Sequence, residues 1–60
     1  MINITPLTDR MDDYLADFED VQNPFDGSIT TSSINLPGIL TDLETLGFVE
    51  GEDYEIEEVG

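Results

Sequence analysis

Cysteine, histidine, lysine and tryptophan are all missing from this chain, and arginine occurs once, as Arg10. Without cysteine no disulfide can staple the fold, and without His or Cys there is no ligand set for a structural zinc. Folding must come from apolar packing or from association, and a chain of 60 residues buries only about 60% of the surface its unfolded form exposes. A single, marginally stable domain over 1–60 is the expectation. Also absent are the groups that most reactions recruit near neutral pH, since nucleophilic and acid–base catalysis draws chiefly on His, Cys or Lys. Ser28, Ser32 and Ser33 lack a base to activate them and read as loop or strand hydroxyls, so no enzymatic activity is expected. The opening MINITPLTDR has no apolar core of signal-peptide length, and no run approaches the roughly 20 apolar residues of a membrane span. A soluble protein of the cytoplasm, without a membrane partner, follows as the expectation; the missing cysteine agrees with a reducing compartment without demanding one.

What the chain has in excess is negative charge: 15 Asp and Glu against the one arginine, for a formal net charge of -14. Self-repulsion of that size opposes compaction, and small designed domains are kept to a net charge of roughly 2 to 8 in magnitude. High net charge also marks disorder. Here 38% of the residues are hydrophobic and they recur periodically, which argues for a folded chain.

Ile2 and Ile4 alternate with polar neighbours and predict a short opening strand with one buried face. Thr5-Pro6 reads as a helix start, with Thr at the cap and Pro at the first helical position. From Pro6 to about Asp20, Leu7, Met11, Tyr14, Leu15 and Phe18 converge on one helical stripe. Asn23-Pro24 and Asp26-Gly27 are turn dipeptides, placing the helix end near Val21. The β-branched stretch Ser28 to Ile34 is read as an edge strand, although neither of its faces is clearly apolar. Asn35-Leu36-Pro37 opens a second helix with a stripe of Leu36, Ile39, Leu40, Leu43 and Leu46, closed by Gly47 with Phe48 behind it. The tail FVEGEDYEIEEV predicts a hairpin turning at Gly51, with Tyr54 and Ile56 on one face and Glu55 and Glu57 on the other. The fold class is therefore α+β: two amphipathic helices on a small antiparallel sheet.

The carboxylates are tested first against chemistry they could perform alone. Hydrolysis of a glycosidic bond by an acid pair needs a cleft that raises one pKa, and so short a chain can hardly form one. A calcium loop of the EF-hand type needs oxygen ligands at alternating positions before its glycine. Gln22, Pro24 and Asp26 before Gly27, and Leu46, Phe48 and Glu50 before Gly51, do not meet that pattern. No metal site and no cofactor are expected.

On a helix advancing about 100° per residue, Asp9, Asp12, Asp13, Asp17, Glu19 and Asp20 lie opposite the apolar stripe, with Ala16 among them and Arg10 at the border. An ordinary solvated face would intersperse lysines, whereas here like charges occupy i,i+4 spacings, Asp9 with Asp13 and Asp13 with Asp17, at a cost to the helix. About 14 helical residues span roughly 21 Å, and one DNA strand carries roughly six phosphates over that length. A second cluster, Glu50, Glu52, Asp53, Glu55, Glu57 and Glu58, lies in the tail. These twelve residues are the candidate partner-binding set. Nucleic acid itself is excluded as a direct partner, because DNA binding relies on Lys and Arg to neutralise phosphates.

With acidic runs such as DRMDDYLADFED and EGEDYEIEEV, short length and no catalytic groups, the chain resembles the small acidic DNA-mimic inhibitors of phages and mobile elements. That class includes anti-CRISPR proteins, anti-restriction proteins and uracil-DNA glycosylase inhibitors. The resemblance is one of character over the whole chain and carries no specific motif. It implies, first, an anti-CRISPR protein acting in the bacterial host cytoplasm on the basic DNA-binding surface of a CRISPR effector complex, where it blocks target DNA on the PAM side. It also admits a glycosylase or restriction-enzyme inhibitor. An acidic antitoxin or adaptor that neutralises a basic protein, and a virion assembly protein, are the readings from other classes. Either a monomer or a homodimer fits.

Overall fold

The computed structural model describes residues 1–18 and 22–59. In chain order it forms strand β1 (Ile2–Pro6), helix α1 (Asp9–Ala16), strand β2 (Ile29–Thr31), a 3-10 turn (Ser33–Asn35), helix α2 (Leu36–Leu46) and strand β3 (Tyr54–Glu58). The three strands make one antiparallel sheet in the order β2-β1-β3. Two helices share a core with one face of that sheet, which is the α+β arrangement expected. No helix of the described residues is long and apolar enough to cross a membrane.

The opening strand takes the central position because both of its edges are used. Ile4 lies opposite Ile29 on one side and Ile56 on the other, so β-branched side chains line up across all three strands. With Tyr54 they contribute one wall of the core, while Met11 and Leu15 of α1, Ile39 and Leu43 of α2, and Phe48 fill it from the other side. Burying such side chains fully is worth about 1.5–3 kcal/mol each, and it is this cluster that holds a staple-free chain together.

Helix α1 starts later than the Thr5-Pro6 signal suggests. Thr5 and Pro6 continue β1, opposite Glu55 and Tyr54. Val59 donates to the Met1 carbonyl and Leu7 to the Asp53 carbonyl, so the hydrogen-bonded pairs fall on odd residues of β1. Pro6 then occupies a non-hydrogen-bonded position, where its missing N–H costs the ladder nothing. The cap is Thr8, in extended conformation, whose Oγ1 accepts from the Met11 amide at 3.3 Å. Leu7, released from the helix, is 44% exposed. At the other end Asp17 and Phe18 donate to carbonyls three residues back, Tyr14 and Leu15, so the final turn tightens and α1 closes at Ala16. The expected extension towards Val21 includes Glu19 and Asp20, and those three lie outside the described residues.

The expected edge strand at Ser28 to Ile34 is present but shorter, as β2. It ends where the Ser32 hydroxyl accepts from the Ile34 amide and starts the 3-10 turn. Ile29 and Thr31 face the core and Thr30 faces outward. Helix α2 ends as the glycine signal indicates: Gly47 has φ +87°, its amide reaches Glu44, and the Phe48 amide reaches Leu43 at 2.9 Å. That paired closure turns Phe48 back into the core. Leu46, in the expected stripe, is left 53% exposed.

The terminal hairpin is not formed as a pair of adjacent strands. A tight turn does occur at Gly51, whose φ is +88° and whose amide donates to the Tyr54 carbonyl at 2.7 Å. Beyond it β3 pairs with β1, and the segment before the turn contributes only a bridge at Glu50. The reason is packing: the second edge of β1 offers Ile2 and Ile4 to a strand carrying Tyr54 and Ile56, whereas the preceding segment is committed to delivering Phe48.

Candidate acidic partner-binding surface

Asp9 and Asp12 stand in the first turn of α1, where the unpaired amides and the positive end of the helix dipole favour carboxylates. Asp13 is exposed on the same short helix and Asp17 sits at its C-cap. With eight residues the helix is about 12 Å long, not the roughly 21 Å that a helix of 14 residues would give. Four of the six expected carboxylates, Asp9, Asp12, Asp13 and Asp17, are thus placed around two helical turns. The fit to a row of six phosphates is not realised among the described residues.

Asp12 is less free than its exposure implies. The Gln22 amide nitrogen donates to Asp12 Oδ1 at 2.7 Å and to the Gly27 carbonyl at 2.9 Å, tying the following loop to the helix. Gly27 has φ +75°, and a Cβ there would stand 2.6 Å from Asp12 Oδ1 and 3.3 Å from Pro6. Asp26 serves the same loop: the Ser28 hydroxyl and amide both donate to it, holding its carboxyl below the usual value.

Arg10, at the border of the acidic face, crosses to the end of α2. Its guanidinium lies 4.9 Å from the centroid of the Phe48 ring and donates to the Leu46 carbonyl at 3.5 Å. A cation is well placed over an aromatic face and at a helix C-terminus.

In the tail, Asp53 turns inward. Its Oδ2 accepts from the Val49 amide at 2.9 Å, its Oδ1 accepts from the Thr8 hydroxyl at 3.3 Å, and its carbonyl accepts from Leu7 at 2.7 Å. One half-buried residue thereby fixes the turn before β3 to the start of α1. It is a structural latch between the tail and α1. Thr8 is the other half of the latch and was not singled out from the sequence.

Glu50 and Glu52 are exposed in the turn, and Glu55 and Glu57 project from the sheet face that carries no helix. Around them on that face are Asn3, Thr5 and Thr30, linked by hydrogen bonds from Thr30 to Asn3 at 3.0 Å and from Asn3 to Thr5 at 3.3 Å. Glu58 falls on the core side of the sheet by alternation but lies exposed at the strand end. Because α1 covers the opposite face, Glu55 and Glu57 belong to a different side of the molecule from the α1 carboxylates. The two clusters do not merge into one track.

Burial raises the pKa of Tyr14, with Asp42 adding to the effect. It also raises Tyr54, where Glu50, Glu44 and Asp53 add to it. Among the described residues no group of three or more His, Cys, Asp or Glu is placed to hold a metal ion. Comparison with protein families, curated proteins and solved structures finds no match.

Proposed function

We propose that this is a non-enzymatic inhibitor that offers carboxylates to a DNA-binding protein in place of phosphates. One observation carries the reading: against 15 carboxylates the chain has a single cation, and that cation is spent on Phe48 and the end of α2. Among the described residues, Asp9, Asp13, Asp17, Glu50, Glu52, Glu55, Glu57 and Glu58 are exposed to solvent with no basic side chain paired to them. On β3, Glu55 and Glu57 are two residues apart, about 7 Å along a strand, which equals about two axial phosphate steps of one DNA strand, near 7 Å. By axial rise, that pair matches every second phosphate of the DNA strand.

Such a surface suits a groove lined with Lys and Arg, accelerates encounter and weakens as salt rises. In its finer form the proposal is a phage anti-CRISPR protein acting in the bacterial cytoplasm, covering the PAM-side DNA-binding surface of an effector complex. Size and character shared with that class support this form. The test is competition: purified effector complexes, a glycosylase and a restriction enzyme are each titrated with the protein in the presence of labelled duplex. Displacement of the duplex from an effector supports the finer form. Displacement from one of the other enzymes supports mimicry and rejects the anti-CRISPR assignment, and a stable complex that still binds DNA rejects mimicry.

A further inference from the structure

Among the described residues, the register of β3 leaves a row of backbone groups unused. Since odd residues of β1 make the bonds to β3, as Val59 to Met1 and Leu7 to Asp53 show, the backbone groups of Tyr54, Ile56 and Glu58 point away from β1. The Tyr54 carbonyl is taken by Gly51. Ile56 and Glu58 are left at the outer edge of the sheet, where β3 is the terminal strand. Beside this edge Thr5, Glu50, Gly51, Glu55, Ile56 and Glu57 line a shallow concavity.

We infer that the outer edge of β3 accepts an extended basic segment of a partner protein as a fourth strand. Backbone pairing would run through Ile56 and Glu58, and alternate Lys or Arg side chains would lie over Glu55 and Glu57. The position facing Glu57 is a non-hydrogen-bonded pair on that edge, the geometry in which cross-strand side chains approach most closely. A base there meets a carboxylate directly, and Glu50 lies on the same concavity. A second copy of this chain is the wrong occupant. Antiparallel self-pairing about Glu57 sets it against itself, pairing about Ile56 sets Glu55 against Glu57, and like charges directly opposite are destabilising. The inference does not require the partner to bind DNA.

The experiment uses the intact chain with two peptides of identical composition, one alternating Lys and Thr and one with its lysines in a single block, and follows amide hydrogen exchange by NMR. With the alternating peptide at about ten times its Kd, exchange at Ile56 and Glu58 should slow about tenfold, and the blocked peptide should leave both amides unchanged. Glu58→Pro removes one outward N–H without touching a bond to β1. It should weaken the alternating peptide about fivefold to tenfold beyond the charge-matched Glu58→Gln. Should the proline variant fail to fold, the exchange result on the native chain decides. Equal binding of both peptides without protection at Ile56 and Glu58 overturns the inference, as does protection of these amides in the free chain that grows with its own concentration. Failure of DNA competition together with protection by the alternating peptide would reject the mimicry proposed above and leave the strand-addition site standing.

Discussion

Asp53 and Gly27 show how single residues of an acidic chain can be structural while resembling their neighbours. Asp53→Ala removes the acceptor for Val49 and Thr8 and should cost about 1–3 kcal/mol, whereas Glu52→Ala in the same turn should stay within about 0.5 kcal/mol; urea unfolding of the two variants makes the comparison. Gly27→Ala combines a left-handed backbone with a Cβ that would crowd Asp12, and a loss of about 1–2 kcal/mol is expected from the backbone alone. The tyrosines set an alkaline limit. Burial raises both from an ordinary value of 10.0, which means the folded state prefers their neutral form. The stability this supplies is complete below the unfolded value and is lost as pH rises through the higher folded values. Unfolding followed by tyrosinate absorbance should therefore begin above about pH 10, and Tyr54→Phe should shift the onset upward.

At the scale of elements, α1 carries its charge at a cost. Asp13 and Asp17 are like charges at i,i+4, and Asp17 meets the negative end of the helix dipole with no basic residue in the last turn. Asp17→Lys should stabilise the fold by about 0.5–1 kcal/mol in thermal melts; a loss of stability would mean that Asp17 makes a favourable contact. The elements themselves were legible where apolar spacing and glycine agree, as in the run from Leu36 to Gly47, whose end is placed to the residue. They were misread where a local signal competes with pairing. Thr5-Pro6 has the form of a helix start, yet the proline falls in a register that needs no N–H, and Thr8 caps instead. The Gly51 turn was readable from its glycine, but the partner of the strand after it depends on which edge of β1 is free, which no local pattern encodes. The candidate site fared similarly. The carboxylates are plain in the sequence; that Asp53 would turn inward, that Gln22 would bind Asp12, and that Arg10 would leave the acids for Phe48 are consequences of tertiary placement.

For the whole molecule, a net charge of -14 on a body with extents of 28 × 25 × 20 Å is a standing repulsion that salt screens over about 10 Å at 0.1 M. The melting temperature should rise from low to moderate salt, and a fall would show that the carboxylates stabilise the fold. Because the two acidic clusters face different sides, replacing one should not substitute for replacing the other. If β3 carries the contact, Glu55→Gln with Glu57→Gln should slow association with a basic target much more than Asp9→Asn with Asp13→Asn, and with a shallower salt dependence than the native chain. The most direct measurement is equilibrium competition between this protein and duplex DNA for its captured target, read as the apparent DNA affinity at increasing protein concentration. Proportional loss of DNA binding without limit is expected for carboxylates that occupy the phosphate site; a plateau, with protein and DNA bound together, would contradict it.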